Sequence, residues 1–462
     1  MGEAPKFGTS GLRGLATELT DELCAAYAQA FAQLEGAATV AIGRDLRDSS
    51  PRIRDAVAAG VSRAGADVVD CGVLPTPALA LAAGALGSAA IMVTGSHIPG
   101  DRNGLKFYRG ADEIGKEDEA PLQARVAEID AMAPLAPPAM TQRDAAADFV
   151  SRYVNFFGEG ALRGLKVGVW QHSSVARDIL PAMLEGLGAE AVRLDRSETF
   201  VAVDTEAVAG EVRERLRGWT REHGLDAIVS TDGDADRPLL TDATGAIVQG
   251  DILGTITARM LAVDAVATPV SSNSMVDKVG IRRVERTKIG SPYVIAAMKA
   301  LAADGAQKVA GFEPNGGFLL GFDAMIGGRH LMPLPTRDFA LPILATLVDA
   351  RERMMTVAEL VEALPKRRTA TDRLTDVPVE RSKALVAELL GGDVSILPPE
   401  LGAPDDIETT DGARMTFAAG EIVTIRPSGN APELRAYVEA DSLARAEGLL
   451  RDVLMRLETR LS

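Results

Sequence analysis

The sequence predicts an α/β fold made of three similar domains and a smaller C-terminal α+β domain. The first observation is length, because 462 residues exceed a single core and domains usually hold about 100–200 residues. The second is an order of strand, serine-containing turn, helix and strand that recurs along the chain. Strands that alternate with helices at this spacing are typical of largely parallel sheets.

The recurring order begins three times, and each turn carries two consecutive serines. The predicted elements are strands at residues 39–42, 68–71, 166–170, 191–194 and 265–269, and helices at residues 51–64 and 175–187. The last part of the chain lacks this order. It contains predicted strands at residues 422–425 and 436–439 and then a helix from Ser442 to the end, which favours an α+β domain.

Composition places the linkers between these domains. Residues 133–142 carry three prolines, residues 245–251 are rich in turn-forming residues, and residues 364–373 are charged around Pro365. We therefore expect domains at residues 1–138, 139–248, 249–366 and 367–462.

The charge balance excludes several classes of partner. Lys and Arg number 49 against 65 Asp and Glu, a net charge of −16, so broad binding to nucleic acid or to anionic membranes is not expected. Residues 1–13 lack the apolar core of a secretory signal, and the apolar stretch at residues 78–93 is interrupted and short for a membrane span. These features predict a soluble cytoplasmic protein.

The metal-ligating residues of the sequence are mostly carboxylates. The sequence has two cysteines and four histidines, too few to favour a disulfide scaffold, a Cys-rich zinc site or a His-based metal site. Any metal should therefore be a hard cation bound by oxygen. Asp232, Asp234 and Asp236 follow the apolar run 227–229 and would repel one another unless a cation neutralised them. They predict an Mg²⁺ or Ca²⁺ site, with a solvated acidic turn as the alternative. An EF-hand is excluded, because Arg237 and Ala243 stand where that loop needs Gly and Glu.

A second candidate site is the Gly/Pro-containing loop after the apolar strand 89–93. Ser96 lies at this strand end, and Lys106, ten residues later on a predicted strand, could return to the same place as a cationic donor. A capping serine in an ordinary loop is the alternative. The Gly-x-Ser-x-Gly pattern of a hydrolase nucleophile is not present.

Two further loops carry polar residues in turns. Glu313 and Asn315, in residues 311–317, could hydrogen-bond vicinal sugar hydroxyls, although a structural turn is an equal alternative. Residues 426–435 combine two arginines, a serine, an asparagine and a glycine, which favours a phosphate site over a capped loop. Residues 110–117 nearly match a nucleotide-binding P-loop, but Glu117 replaces the hydroxyl residue that Mg²⁺ requires.

Together with the segment Phe-Gly-Thr-Ser-Gly-Leu-Arg-Gly at residues 7–14, these loops resemble the α-D-phosphohexomutase family. That family carries an N-terminal Arg-Gly segment, a phosphoserine loop, an Asp-rich metal loop, a sugar loop and an Arg-Pro-Ser-Gly phosphate loop, in the order found here. The resemblance covers essentially the whole chain. It implies three similar α/β domains with mixed sheets and a smaller fourth domain around a central cleft, with one loop from each domain.

The resemblance implies an isomerase that moves a phosphoryl group within a sugar. A phosphorylated Ser96 would donate to a hexose 1- or 6-phosphate, giving a hexose 1,6-bisphosphate that turns over in the cleft and also serves as activator. Mg²⁺ would be held by Asp232, Asp234, Asp236 and a phosphoserine oxygen on Ser96. Lys106 and Arg13 are the expected residues for proton handling and charge stabilisation. The implied substrate-binding residues are Arg237, Lys288, Glu313, Asn315, Arg426, Ser428, Gly429, Asn430 and Arg435.

The sequence departs from the family pattern at three points. Asn315 and Gly317 stand at the usual Ser and His of the sugar loop, Ala235 replaces a glycine, and Asn430-Ala431 replaces Thr-Glu. These variants are most similar to a bacterial phosphomannomutase branch, so mannose 1-phosphate and mannose 6-phosphate are the expected substrates. Glucose and glucosamine phosphates are the alternatives, and a monomer or homodimer is expected.

Two other functional classes fit less well. A haloacid-dehalogenase-type phosphatase needs Asp-x-Asp-x-Thr/Val, but Asp236 and Pro238 occupy the third position in the two possible registers. A non-catalytic sugar-phosphate-binding protein would not need Ser96 and all three aspartates.

Overall fold

The computed structural model describes residues 4–8, 10–130, 139–428 and 432–461. Over these residues the chain forms four large sheets and one two-stranded sheet. The first three large sheets mix parallel and antiparallel strands and are covered by helices, and the fourth is antiparallel. The predicted fold class, three similar α/β units and a smaller α+β unit, is confirmed.

The first sheet contains eight strands. Its elements are β1 (Lys6–Phe7), β2 (Leu12–Leu15), α1 (Asp21–Glu35), β3 (Thr39–Arg44), α2 (Ser50–Arg63), β4 (Asp67–Val73), α3 (Thr76–Leu86), β5 (Ala89–Val93), β6 (Arg102–Arg109), β7 (Asp112–Glu113), α4 (Lys116–Ala127) and β8 (Met140–Gln142). The strand order is β1-β2-β6-β5-β3-β4-β8, with β7 beside β6. Strands β5, β3, β4 and β8 are parallel, whereas β6 is antiparallel to β5.

The second sheet contains five strands in the region of the chain that follows. Its elements are α5 (Ala146–Phe157), β9 (Lys166–His172), α6 (Ile179–Gly186), β10 (Glu190–Arg196), α7 (Gly210–His223), β11 (Ala227–Thr231), β12 (Pro238–Thr241) and β13 (Ile247–Val248). The strand order is β10-β9-β11-β12-β13, in which β10, β9 and β11 are parallel.

The third sheet repeats this order. Its region contains α8 (Gly250–Met260), β14 (Ala265–Pro269), a 3₁₀ helix (Ser274–Lys278), β15 (Arg283–Thr287), α9 (Ser291–Ala303), β16 (Val309–Phe312), β17 (Phe318–Leu320), β18 (Ala324–Ile326), β19 (Arg329–Leu331), β20 (Leu334–Asp338), α10 (Ala340–Glu352) and α11 (Val357–Glu362). The order is β15-β14-β16-β17-β20, and β18 with β19 forms the two-stranded sheet.

The fourth sheet is a five-stranded antiparallel sheet with helices packed against it. Its elements are β21 (Arg368–Leu374), α12 (Val379–Leu390), a 3₁₀ helix (Pro399–Leu401), β22 (Pro404–Glu408), β23 (Ala413–Phe417), β24 (Ile422–Pro427), β25 (Leu434–Ala440) and α13 (Leu443–Leu461). The strand order is β21-β25-β24-β23-β22.

The central strands are buried along their whole length. Every residue of β5, β11 and β14 is buried. Such runs are expected for parallel strands that are covered on both faces, and they leave the charged side chains to the loops at the strand ends. The fold therefore directs the candidate residues to those loops.

One predicted helix is shorter than expected. The sequence predicts a helix at residues 175–187, but α6 begins at Ile179 and residues 175–178 form turns. Pro181 accounts for this difference, because proline lacks an N–H and fits a helix only in its first turn, where no backbone donor is needed.

The structure describes the two cysteines and the helices that the composition analysis considered. Cys24 and Cys71 are both buried and free. Among the described helices, none has the length and apolar character that crossing a bilayer requires.

The packing of α1 on α2 gives a stability prediction. A Cβ added to Gly60 in α2 would lie 2.1 Å from the backbone oxygen of Ala25 in α1, and backbone cannot move aside cheaply. We expect Gly60→Ala to reduce the free energy of unfolding by about 1–3 kcal/mol. The control is Gly218→Ala in α7, where an added Cβ meets nothing within 4 Å. That change should stabilise the protein by about 0.5–1 kcal/mol. Thermal unfolding followed by circular dichroism measures both, and equal effects would contradict the prediction.

Candidate active site

The candidate loops occupy equivalent positions in the sheets. In each of the first three sheets, one parallel strand is followed directly in the chain by an antiparallel neighbour, and the connection between them carries the predicted residues. These connections are β5–β6 with Ser96, β11–β12 with the three aspartates, and β16–β17 with Glu313 and Asn315. The phosphate loop connects β24 to β25. Carboxyl ends of parallel strands are where sites form in α/β sheets.

Ser96 lies directly against the aspartate loop. Its side chain is buried, and its Oγ donates a hydrogen bond of 2.6 Å to Asp232 Oδ2. Its backbone has a φ of 54°, a left-handed conformation that is uncommon for residues with a side chain. His97 Nδ1 lies 3.3 Å from the same Oγ, and burial lowers the pKa of His97 well below its ordinary value. Because the imidazole is neutral, Asp232 is the acceptor that fixes the serine hydroxyl.

Arg47 holds the Ser96 loop, a role that the sequence did not indicate. Its guanidinium is buried and donates to the carbonyl oxygens of Ser96 at 2.9 Å and Arg102 at 2.9 Å, and also to those of Ile98 and Pro99. Asp45 accepts from Arg47 Nε at 3.0 Å and neutralises it. The available signal was position, because Asp45 and Arg47 follow the buried strand β3.

The three aspartates converge at one point. Their side chains are fully buried, and they offer carboxylate oxygens that all lie within 4.8 Å of one another. Lys106 on β6 reaches them, with Nζ 2.6 Å from Asp234 Oδ2 and 2.6 Å from Asp236 Oδ2. Ala235 between them has a φ of 51°, so it adopts the left-handed conformation in which the resembling family carries glycine.

The electrostatics of this cluster show strong repulsion. Burial, followed by the charges of Asp234 and Asp236, raises the pKa of Asp232 well above its ordinary value. Burial also acts to raise the pKa of Asp234, but the Lys106 ammonium outweighs it and holds that pKa below its ordinary value. The neighbouring cations therefore favour the charged forms of Asp234 and Asp236, and Asp232 is the carboxyl whose charge they do not offset.

The residues fit a hard divalent cation. Asp234 Oδ1 and Asp236 Oδ1 are buried and accept no hydrogen bond from any described residue. Buried oxygens of this kind are costly unless a ligand satisfies them. Carboxylate oxygens are the ligands that Mg²⁺ and Ca²⁺ prefer. The triad could therefore bind a metal ion.

Arg13 and Arg237 lie on two sides of the same cluster. Arg13 on β2 donates from Nη1 to the carbonyl oxygen of Gly95 at 3.4 Å. Burial, and then the charge of Arg237, lower the pKa of Arg13 to about 10, so it stays charged at neutral pH. Arg237 Nε lies 3.7 Å from Asp236 Oδ1, and its Nη1 lies 3.8 Å from Glu206 Oε1. Both cations therefore stand next to the loops of Ser96 and of the aspartates.

The sugar loop is joined to this cluster by Arg337, which the sequence did not indicate. Glu313 is buried, and its Oε2 lies 3.5 Å from Arg337 Nη1, while Arg337 Nη2 lies 2.7 Å from Asp236 Oδ2. Asn315 Oδ1 accepts from the backbone N–H of Gly317 at 3.0 Å, which shapes the turn. The available signal for Arg337 was the occurrence of two consecutive charged residues, Arg337 and Asp338, in an otherwise apolar stretch.

The phosphate loop is described only in part. Gly429 and Asn430 lie outside the described residues. Arg426 on β24 pairs in register with Arg435 on β25, so both arginines flank the loop. Arg426 Nε lies 3.4 Å from Asp411 Oδ2, and Arg435 Nη2 lies 3.1 Å from Glu433 Oε2. The backbone N–H of Ser428 donates to the carbonyl oxygen of Glu433 at 2.8 Å.

Lys288 lies in an exposed turn after β15. Its Nζ stands 6.0 Å from the centre of the Tyr293 ring. The next residue, Ile289, donates its backbone N–H to Asp411 Oδ2 at 3.0 Å, which is the oxygen that Arg426 also approaches. Asp411 therefore brings the Lys288 turn next to the phosphate loop.

The arrangement joins a hydroxyl nucleophile, a metal-binding carboxylate cluster and several cations. Ser96, the three aspartates, Lys106, Arg13 and Arg237 form one buried group, and Arg337 extends it to Glu313. Lys288, Arg426 and Arg435 form a second group on the third and fourth sheets. Such a combination suits phosphoryl transfer, in which charge neutralisation and positioning supply most of the catalysis.

Models of the phosphoglucomutase/phosphomannomutase family match the chain in four parts. Alpha/beta/alpha domain I matches residues 4–133, domain II matches residues 147–245 and domain III matches residues 242–368. The C-terminal domain of the family matches residues 356–455. The matches span nearly the entire chain in the family's order.

Individual relatives agree with these matches. A phosphomannomutase from Sinorhizobium fredii is 48% identical over 99% of both chains, and one from Salmonella muenchen is 43% identical over 98% of this chain and 96% of its own. A crystal structure of a phosphoglucomutase/phosphomannomutase family protein from Burkholderia thailandensis superposes with a TM-score of 0.77. It has 24% identity and covers 96% of both chains.

Proposed function

Since the chain belongs to the phosphoglucomutase/phosphomannomutase family, we propose that it is a phosphohexomutase that interconverts mannose 1-phosphate and mannose 6-phosphate. The observation that carries the proposal is the 2.6 Å contact between Ser96 Oγ and Asp232 at the buried aspartate cluster. It brings a hydroxyl nucleophile to the only group of three aspartates, among the described residues, that could hold a metal ion.

Ser96 carries the phosphoryl group in this proposal. The P–O bond to Ser96 breaks as a new P–O bond forms to the free hydroxyl of the hexose phosphate, which gives a hexose 1,6-bisphosphate. After the bisphosphate turns over in the cleft, its other phosphoryl group returns to Ser96. Arg47 keeps the loop in place throughout, because it binds four of its carbonyl oxygens.

Lys106 is proposed to handle the proton of the reacting hydroxyl, and Arg13 is proposed to stabilise the negative charge of the transferring group. During transfer the hexose hydroxyl loses a proton and the departing Ser96 oxygen gains one. Lys106 Nζ, bound to Asp234 and Asp236, is the group proposed to relay it, giving its own proton to the serine oxygen and taking the one from the hydroxyl. Arg13 stays charged at neutral pH and therefore stabilises negative charge without accepting the proton. Arg237 is proposed to contact the phosphoserine.

Mg²⁺ is the metal that we propose for the aspartates. Asp232, Asp234, Asp236 and a phosphoserine oxygen on Ser96 would hold it, and when bound it offsets the charge of the transferring group. The hexose 1,6-bisphosphate would act as activator, since it can rephosphorylate Ser96.

The remaining predicted residues are proposed to bind the substrate. Glu313 and Asn315 would bind the sugar hydroxyls. The phosphate that is not transferred would be bound by Lys288, Arg426, Ser428, Gly429, Asn430 and Arg435. We also propose the four-domain division predicted from the linkers, a cytoplasmic location and a monomer or homodimer, each on the sequence features alone.

The substrate is tested by competition among hexose phosphates. Mannose 1-phosphate, glucose 1-phosphate and glucosamine 1-phosphate are each supplied with a trace of the corresponding bisphosphate and Mg²⁺. We expect kcat/KM for mannose 1-phosphate to exceed that for glucosamine 1-phosphate by at least about tenfold, since a site that binds a hydroxyl rejects an analogue that lacks it. A preference for glucosamine would contradict the substrate proposal while leaving the mutase reaction intact.

A further inference from the structure

We propose that Arg337 is a positioning residue that couples metal binding to sugar binding, because one guanidinium binds both Asp236 of the metal loop and Glu313 of the sugar loop. The proposal rests on the function proposed above. It concerns how the metal loop and the sugar loop are held together.

The contacts of Arg337 join three segments that are far apart in the chain. Arg337 lies near the end of β20 in the third sheet and is 4% exposed. Its Nε and Nη2 lie 3.0 Å and 2.7 Å from Asp236 Oδ2, and its Nη1 lies 3.5 Å from Glu313 Oε2. Its Nη2 also donates to Ser10 Oγ at 3.3 Å, on the first sheet's side of the site. Three buried side chains thus meet at one cation.

The neighbouring glycine leaves room for this side chain. A Cβ at Gly317 would lie 2.8, 2.9 and 3.0 Å from Cγ, Cβ and Cδ of Arg337. Gly317 is not among the glycines with positive φ, so its backbone conformation does not demand glycine. The path of the Arg337 side chain across the sugar loop accounts for the absence of a side chain at residue 317.

Arg337 also decides which oxygen of Asp236 is engaged. Arg337 and Lys106 both bind Oδ2, whereas Oδ1 accepts no hydrogen bond among the described residues and lies 3.7 Å from Arg237 Nε. The carboxylate is therefore held with one oxygen occupied and the other available to a cation. Because the same guanidinium contacts Glu313, a displacement of either carboxylate is transmitted to the other.

Arginine is suited to this role and lysine is not. The planar guanidinium presents several N–H groups in fixed directions, so it can bind two carboxylates at once, whereas an ammonium is a point charge on a flexible chain. We therefore expect Arg337→Lys to preserve charge and lose the coupling.

The test measures binding and does not depend on turnover. Mannose 6-phosphate is titrated calorimetrically into wild type, Arg337→Met and Arg337→Lys, with and without Mg²⁺. In the wild type Mg²⁺ should tighten sugar-phosphate binding, and this enhancement should fall at least about tenfold in both variants. Arg259→Met, which removes an arginine that pairs with Asp349 away from the loops, should keep the wild-type enhancement.

Gly317→Ala supplies an independent arm. The added methyl group should displace the Arg337 side chain and lower kcat/KM for mannose 1-phosphate by about 100-fold, as small misplacements in active sites do. In the Arg337→Met background the same change should cost much less, because the guanidinium that it would displace is already absent. Thermal unfolding of every variant identifies any that fail to fold. If Arg337→Met fails to fold, Gly317→Ala and Arg337→Lys still test the proposal.

Each outcome bears on one proposal. Undiminished Mg²⁺ enhancement in Arg337→Met or Arg337→Lys, or full additivity of Gly317→Ala with Arg337→Met, would overturn the coupling role. Wild-type protein that binds the sugar phosphate with Mg²⁺ enhancement but shows no turnover would overturn the proposed function and leave the coupling role standing.

Discussion

Ser96→Ala is expected to abolish mutase turnover, with a loss of kcat of about four orders of magnitude or more, because it removes the atom that carries the phosphoryl group. The variant should fold, since alanine and serine meet the same backbone restraint at a φ of 54°. It should also bind mannose 6-phosphate, because Glu313 and the phosphate-loop residues are unchanged. A coupled assay of hexose phosphate interconversion measures the rate.

Mass spectrometry gives this prediction a second measurement. A fraction of the wild-type molecules should carry an adduct of about 80 Da on Ser96, the mass of one phosphoryl group. The adduct should be absent from Ser96→Ala and present in Ser62→Ala, which changes an exposed serine of α2. Full activity in Ser96→Ala would exclude the phosphoserine mechanism.

Removal of the metal is expected to have an effect of similar size. Chelation should abolish turnover and Mg²⁺ should restore it, because without the cation the negative charges of the transferring phosphoryl group and of Asp232 would not be offset. Asp234→Asn should raise the Mg²⁺ concentration needed for half-maximal activity by at least about 100-fold. Thermal unfolding should show that Mg²⁺ stabilises the wild type and leaves Asp234→Asn nearly unchanged, since only a bound ligand shifts the folding equilibrium.

The matched control for this substitution is Asp178→Asn. Asp178 belongs to the same part of the chain, but its side chain is exposed and pairs with Arg196. It should retain the wild-type response to Mg²⁺ in both measurements. An Asp234→Asn variant with an unchanged Mg²⁺ requirement would place the metal elsewhere.

The candidate loops could be found from sequence because each is continuous and has a clear local context. Ser96 and the three aspartates directly follow apolar runs, and such runs become buried strands whose ends face a site. Lys106 was also predictable, since its strand returns antiparallel to β5. The ends of helices were harder to predict from sequence, as the shortened α6 with its Pro181 illustrates.

Arg47 and Arg337 could not be recognised in the same way. Both are buried cations whose partners lie far along the chain: Arg47 binds carbonyl oxygens some 50 residues away, and Arg337 binds Asp236 across 101 residues. The only local signal at either residue is a nearby aspartate at the end of an apolar run, which surface arginines also show. Their burial follows from the packing of separate sheets, which no local pattern encodes.

The net charge of −16 also separates what the sequence shows from what the folded structure shows. The sequence by itself determined the α/β class, the four segments and the residues that stand at the strand ends, because alternation of apolar and polar runs is a local property of the chain. Only the tertiary structure decided that Lys106, Arg13, Arg237 and Arg337 gather around three aspartates within an acidic protein. Charges separated by many residues meet only when the sheets pack together, so their balance at the site is a property of the folded molecule.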